Sequence, residues 1–584
     1  MQERRDPEDE ILRALERASR EAFPEVGAEI GRIFAADFSL GTPPPDRDGD
    51  YSSNIAFLLK KPVKRSPLEI AREIAARFEG PAVSEAVPPG FINLTLDDEA
   101  RYAFLAGMDD PRWASRRAKQ PSRVNIEFVS ANPTGPLHVG HGRGAVIGDV
   151  LARLLANAGH DVTREYYLND VGRQIELLGE SLLYKVCEIR GDSRGRFRDE
   201  YRGGYIEELA REFLNSRPEL FVEETDESLI EEAGRFAKER LFEKIKRTLE
   251  RLDIRFDVVT SEESLRSGIS ELLERLDRAG LLYEADRPRN TEARIRREDS
   301  KAAVYGEEMS GGTFLETSRF GDDEDRIVKR ADGTTTYFTA DIVYHIGKFE
   351  RGFDEVIDIW GADHGGHVKR MRAALEGLGY DTKRFHVILC QMVRLLRDGR
   401  EVKMSKRSGE MITLDELIDE TGKDPIRFYF LMRTPNAPCD FDITLAVKAS
   451  TENPVFYCQY AHARTCQILA RGKRDGLEPS REQRVLTLLA DPLEKDLVRF
   501  LLRIPDGLAA AARRREVHRL PEIALELARR FHRYQTAGKK NSGLRVVDKE
   551  RSDLSAARLF LVDRVRRGMK TLLALMGVEA PEQM

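Results

Sequence analysis

The sequence predicts an α/β protein: a central domain on a parallel sheet, a small α+β module ahead of it and an all-α bundle behind it. Three observations carry this. From Pro121 the chain runs strand, Pro/Gly loop, helix, strand through "VNIEFV", "GDVLARLLANAG" and "DVTREYYLN", the order of a βαβ unit. More α/β pattern follows a charged helical stretch, in "YFTADIVYHI", "EVIDIWGADH" and "FHVILCQMV". Beyond about residue 451 glycines and strand signals thin out, and long helices with apolar stripes dominate, as in "DLVRFLLRI" and "LPEIALELARRFHRY".

At 584 residues the chain exceeds what one core holds, which predicts two to four domains. With 41% hydrophobic and 34% charged residues it has material for large cores and a charged, soluble surface. The opening "MQERRDPEDE" has no apolar run behind it, and nowhere do 18 apolar residues run together, so neither export nor a membrane is expected. Five cysteines, Cys187, Cys390, Cys439, Cys458 and Cys466, are sparse and never paired as C-x-x-C. That argues against a disulfide framework or a zinc site and points to a reducing cytoplasm. The net charge of −6 decides nothing about nucleic acid, because phosphate binding depends on local basic patches.

Along the chain, residues 9 to about 36 and 66 to 79 read as amphipathic helices around a turn-rich loop, and "GFINLTL" as a strand. This module spans 1–112. The central domain spans 113–450, with an insertion around 174–310 whose first part, to about 250, is charged and helical. The bundle spans 451–584. No fixed-period repeat stands out.

"SANPTGPLHVGHGRGAVIGD", Ser130 to Asp149, directly follows the first strand. Its prolines and Gly135 shape a loop, and the helix is expected to start close to Leu137. His138 and His141, three apart, then share a face at a helix N-terminus, where unpaired N–H groups and the dipole favour phosphate. Gly140 between them clears the backbone for a flat base, and the imidazoles donate where phosphate charge builds up. For a lone H-x-x-H, helix–sheet packing glycines and satisfied histidines are the commoner explanation. Zinc is disfavoured, because H-E-x-x-H spacing and cysteines are lacking. Gly142, Gly144 and Gly148 give G-x-G-x-x-x-G inside the helix, which is not the dinucleotide fingerprint, and no P-loop sequence occurs.

A second motif, "KMSKRSGEMITLDEL", places Lys403, Met404, Ser405 and Lys406 in a short loop. Lysines over a triphosphate act as point charges suited to a pyrophosphate leaving group. Alone, such a run is usually a solvated surface loop.

Together, HVGH after a strand and KMSK in one chain resemble the signatures of class I aminoacyl-tRNA synthetases. "EFVSANPTGPLHVGHGRGAVIGD", "DGTTTYFTADIVYHIGKFERGFDEVIDIWGADH", "KMSKRSG" and "NPVFYCQYAHAR" resemble the arginyl-tRNA synthetases in particular, from about residue 50 to the C-terminus. The resemblance implies a Rossmann-type nucleotide-binding catalytic domain, an N-terminal domain that meets the corner of the tRNA and an anticodon-binding bundle. It implies an arginine–tRNA ligase using ATP with Mg²⁺, L-arginine and tRNA(Arg), acting as a monomer, with no metal held by the protein itself. His138, Gly140 and His141 match the ATP site, Lys403 and Lys406 the phosphate-stabilising lysines with Met404 and Ser405 beside them, and Asp363 and His364 of "GADH" the strand end that gathers the nucleotide. Glu127 and Asp341 match the guanidinium acceptors, with Tyr337 beside them, and Asn132 the holder of the amino acid's backbone end. Phe91 and Asn93 match an aromatic and an amide that meet an unstacked base. Tyr457, Tyr460 and Arg464 lie where the family meets RNA, beside a stretch from 513 to 540 with nine Lys or Arg against three Asp or Glu.

Structural alternatives stand beside these: salt bridges for Glu127 and Asp341, a small core for Phe91, and helix packing for the tyrosines. Two stretches depart from the family. Residues 286 to 310 are extra chain, expected as a surface loop near the pocket, and "YQTAGKKNSGLRVVDKE" lacks the family's aromatic-rich pattern. The alternatives in function are a class I synthetase for another amino acid, such as lysine or glutamate, and a non-catalytic tRNA-binding paralogue. The second conflicts with the intact histidines and lysine loop.

Overall fold

The computed structural model describes all residues except 1–6, 36–37, 39, 42, 44–48, 117, 119, 192–196, 219–226, 290–310 and 403–411. In the N-terminal module the helix expected over 9 to 36 is two helices, Pro7–Ala22 and Gly27–Ala35, separated by a 3-10 turn at Pro24–Val26. Pro24 breaks it, because proline lacks the N–H and disfavours helical backbone in the residue before it. The next helix, Pro67–Ala76, starts at a reciprocal cap in which Glu69 N donates to Ser66 Oγ at 3.4 Å and Ser66 N to Glu69 Oε2 at 3.1 Å. "GFINLTL" forms the middle strand, Phe91–Leu96, antiparallel to Tyr51–Ser53 and Ala82–Val87.

The central domain holds strands β1 (Arg123–Glu127), β2 (Asp161–Leu168), β3 (Val258–Ser261), β4 (Glu355–Gly361) and β5 (Phe385–Cys390), all parallel, in the order β5-β4-β1-β2-β3. Helix α1 (Val139–Asn157) links β1 to β2, and α2 (Tyr337–Glu350) precedes β4. The strand order reverses between β1 and β4, which opens a crevice at their C-terminal ends. A Cβ on Gly148 of α1 would lie 2.2 Å from Phe128 Cγ, and one on Gly142 2.8 Å from Leu414 Cδ1. Close packing therefore explains these two glycines.

Between β2 and β3 the helices Arg173–Arg190, Gly204–Ser216 and Glu227–Arg251 pack on their own apolar core, including Leu178, Leu182, Phe213 and Leu241. The chain then re-enters the main sheet at β3 before a separate antiparallel sheet of Leu282–Ala285, Gly312–Leu315 and Arg326–Arg330. The stretch from 174 to 310 is thus two excursions divided by an edge strand. "VVTS" is too short for a period-2 pattern to reveal it. The extra segment connects paired Ala285 and Gly312, and its residues 290–310 lie outside the described ones.

After β5 a small sheet of Val393–Arg397, Arg400–Glu401 and Cys439–Asp442 packs with two helices, Leu414–Thr421 and Lys423–Leu431. Buried Arg427 ties three regions together: Nε donates to Met576 O and Nη1 to Leu252 O, both at 2.6 Å, and Nη2 pairs with Asp149 of α1. The bundle is α3 (Pro454–Arg474), α4 (Pro492–Arg514), α5 (Arg519–Lys540) and α6 (Ser552–Leu575). Among the described residues no helix is long and apolar enough to cross a membrane.

Candidate active site

Directly after β1 the backbone enters the left-handed region at Val129 (φ 71°) and Ser130 (φ 38°). Such positions cost of order 1–3 kcal/mol each in residues other than glycine, so the surrounding contacts must hold them. They do so locally. Ser130 Oγ donates to Glu127 Oε1 at 2.8 Å and accepts from Tyr167 N at 3.1 Å, while the Tyr166 hydroxyl donates to Ala131 O at 2.6 Å.

His138 is the N-cap of α1. Gly140 N donates to His138 Nδ1 at 3.1 Å, and His138 N donates to His141 Nδ1 at 3.3 Å, a capping box built from two imidazoles. The rings stack with centroids 3.7 Å apart. A neutral ring that accepts at Nδ1 carries its proton on Nε2, so this cap selects the tautomer that donates from Nε2. A Cβ on Gly140 would lie 2.9 Å from His138 Cε1. The glycine therefore makes room for the capping imidazole, a different reason from clearing the backbone for a flat base.

Lys403, Met404, Ser405 and Lys406 lie outside the described residues. The exit of their segment is placed: Thr413 forms a β-bridge with His138, and Leu414 N donates to Leu137 O at 2.8 Å. Buried Arg143 of α1 donates to Gln391 O at 2.9 Å, Ala437 O at 2.7 Å and Thr434 O at 2.9 Å, which fixes the small sheet beside that segment. Thr413 and Leu414 are thus fastened to the helix start that carries His138.

Across the central strands, Asp358 of β4, Glu127 of β1 and Glu165 of β2 are neighbours in register, a row of buried carboxylates. Like charges side by side destabilise a sheet unless cations intervene. Helix α2 supplies them. Lys348 Nζ donates to Glu127 Oε2 at 2.6 Å and Asp358 Oδ1 at 2.8 Å, and lies 4.2 Å from the Tyr344 ring centroid. His345 bridges Asp358 Oδ2 at 2.7 Å and Asp341, whose carbonyl lies 2.8 Å and Oδ1 3.2 Å from Nδ1. His367 Nε2 pairs with Asp341 Oδ2, and Arg351 Nη2 donates to Glu165 Oε2 at 2.7 Å. Among the described residues the one candidate metal-ligand group, Glu127, His345 and Asp358, encloses the Lys348 ammonium.

Burial alone would push the His345 imidazole down, but Asp341 and Asp358 outweigh it and hold it up at about 10. It is therefore an imidazolium at neutral pH, donating from both nitrogens. Burial would likewise raise Asp341, but His345 and His367 hold it below the usual carboxylate range. Glu127 is pushed up by burial despite Lys348. Because the folded pKa of His345 lies above its ordinary 6.5, its stabilisation is complete below about pH 6.5 and is lost as pH rises through about 10. The Tm difference between the wild type and His345→Gln is accordingly expected to be largest at pH 6 and to shrink towards pH 10. A pH-independent difference would contradict the imidazolium assignment.

Other candidates fall around this centre. Tyr337 opens α2, one turn ahead of Asp341 and half-exposed; Asn132 Nδ2 donates to Gln174 Oε1 at 2.7 Å. Asp363 and His364 sit on a 3-10 turn beyond β4 with side chains 85% and 60% exposed, away from the carboxylate cluster. Phe91 is at the surface, 4.9 Å from the Phe57 ring. Asn93 is 4% exposed and its Oδ1 accepts from Ser52 Oγ at 3.0 Å, so its amide faces inward rather than to the surface where a base was expected. Tyr457 and Tyr460 flank His532, with ring centroids 4.6 and 5.6 Å away, and Arg464 Nη1 donates to Gln467 Oε1 at 3.0 Å. Of the basic stretch, Arg515, Arg519, Arg529, Arg530 and Arg533 are paired with carboxylates, so part of its surplus is structural.

Residues 108–292 and 293–428 match the family model described as the tRNA synthetases class I (R) catalytic domain. Residues 8–96 match the arginyl tRNA synthetase N-terminal domain and 458–584 the DALR anticodon binding domain. An arginine–tRNA ligase of Moorella thermoacetica is 40% identical over 574 residues, 96% of this chain and 97% of its own. The chain belongs to the arginyl-tRNA synthetase family. An arginine–tRNA ligase of Desulfosudis oleivorans is 39% identical over 586 residues, 98% of this chain and 100% of its own. The solved arginyl-tRNA synthetase of Thermus thermophilus shares the fold, with a TM-score of 0.69 at 23% identity over 98% of this chain and 100% of that one.

Within this arginyl-tRNA synthetase fold, reading the sequence missed Ser130, His345, Lys348, Asp358 and His367. One signal was present: Asp341, His345 and Lys348 recur at i, i+4 and i+7, a polar stripe on an otherwise apolar helix.

Proposed function

We propose that this chain, acting as a monomer in the cytoplasm, esterifies L-arginine to tRNA(Arg) through an arginyl-adenylate, consuming ATP supplied as its Mg²⁺ complex and releasing AMP and pyrophosphate. The observation that carries this is the reversal of strand order between β1 and β4, with a histidine-capped helix following β1 and with Glu127 of β1 and Asp341 of α2 both buried. The start of 19-residue α1 offers first-turn N–H groups and Nε2 donors, chemistry that fits a polyphosphate. Mg²⁺ would ride on the phosphates.

The arginine carboxylate attacks the α-phosphorus; its O–P bond forms as the bond to pyrophosphate breaks. The 2′-hydroxyl of the terminal adenosine then attacks the carbonyl carbon, and AMP leaves. No protein nucleophile enters either step, so the residues position and stabilise charge. In this reading His138 and His141, with Lys403 and Lys406, steady the phosphates, and Gly140 permits the cap. Glu127 and Asp341 take the guanidinium, Tyr337 closes over it and Asn132 meets the amino acid's backbone end. Acceptors set for a planar guanidinium are left unpaired by lysine, which disfavours it by roughly 10⁴. Asp363 and His364 flank the nucleotide at the β4 end, while Phe91, Tyr457, Tyr460 and Arg464 meet tRNA.

Incubating the protein with ATP, Mg²⁺, bulk tRNA and labelled arginine tests it. Acid-precipitable label lost on mild alkaline treatment, and absent with labelled lysine or glutamate, is the expected result. Label entering with lysine or glutamate in place of arginine would overturn the substrate assignment.

A further inference from the structure

We propose that His345 and Lys348, which do not reach the crevice, are positioning residues that lock the two arginine acceptors, Glu127 and Asp341, into a single charged ladder through Asp358. The proposal rests on the assignment of Glu127 and Asp341 to the guanidinium. Four observations support it.

The ladder is continuous. Asp341 meets His345, His345 meets Asp358 at 2.7 Å, Asp358 meets Lys348 at 2.8 Å and Lys348 meets Glu127 at 2.6 Å. It is dry: His345, Lys348 and Asp358 are at most 1% exposed, so their groups have one another in place of water. Each cation is filled, since the Lys348 ammonium faces two carboxylates and the Tyr344 ring, and the His345 imidazolium faces a carboxylate at each nitrogen.

The charge count points the same way. Three carboxylates, Glu127, Asp341 and Asp358, face the two cations Lys348 and His345, while neighbouring Glu165 is matched by Arg351. Against Lys348 and His345 alone the three carboxylates leave one negative charge over, and His367 Nε2 also pairs with Asp341 Oδ2. A guanidinium offsets that charge. Two acceptors on separate elements, one ending a strand and one a turn inside a helix, can present a fixed spacing to a planar fork only if something rigid joins them.

The test compares Lys348→Met, His345→Gln and Asp358→Asn with the direct variants Glu127→Gln and Asp341→Asn, using steady-state aminoacylation with arginine and ATP each varied, and Tm. Asp358→Asn is nearly isosteric and keeps an oxygen towards Lys348, so it serves even if Lys348→Met does not fold. The ladder predicts a rise in arginine KM of about 10- to 100-fold in each indirect variant, the range for losing a supporting residue behind a binding group, with ATP KM within about twofold. A lowered Tm and active fraction with unchanged arginine KM in Asp358→Asn and His345→Gln, while Asp341→Asn raises it, would overturn the ladder and leave the acceptor assignment standing. If Glu127→Gln and Asp341→Asn also leave arginine KM unchanged, the assignment on which the ladder rests falls.

Discussion

Replacing Asp341 by alanine is expected to lower kcat/KM for arginine by about three orders of magnitude, with the KM for ATP nearly unchanged. Two effects add. The guanidinium loses a charge-assisted acceptor, and the buried His345 imidazolium loses the carboxylate that holds it up at about 10. Asp341→Asn separates them, since it retains a hydrogen-bond acceptor without the charge. Kinetics with arginine and ATP varied in turn check this; a loss that appears only as a raised ATP KM would place Asp341 at the nucleotide instead.

Replacing His141 by alanine is expected to reduce kcat by roughly 10²- to 10³-fold, the cost of one donor aimed at developing charge, with little change in arginine KM. It also removes the acceptor of His138 N, which costs stability of about 1 kcal/mol. His141→Asn offers an oxygen that can accept from His138 N but no ring, so its Tm should recover while kcat stays low. Recovery of both would make His141 a helix cap and nothing more.

Much of this site was legible in the sequence, and the part that was not has a physical cause. The first strand, the loop and α1 were readable because a Pro/Gly loop separates two clear periodicities, and the cap at His138 lies one residue past Leu137, where the helix was expected to start. The edge strand β3 was not, for four residues leave no period to count. The charged face of α2 reads in isolation as a solvated stripe. It turns inward only because the register of β4, β1 and β2 sets three carboxylates beneath it, a pairing that no local pattern contains. His364 follows the strand end directly and was read as a nucleotide-end residue, while His367 gave no signal of its own. The 3-10 turn at Ala362–His364 leaves His364 exposed, and His367 on the next helix comes back to Asp341. Asn93 sits in a strand where alternation should leave one face wet, yet both faces of the middle strand are covered there.

Exchange of labelled pyrophosphate into ATP, measured with arginine or lysine and with or without bulk tRNA, tests the central claim most directly. It reads adenylate formation at the crevice between β1 and β4 and nothing downstream. The account predicts exchange with arginine when tRNA is present, and none with lysine. Exchange supported by lysine, or silence with arginine and tRNA together, would contradict it.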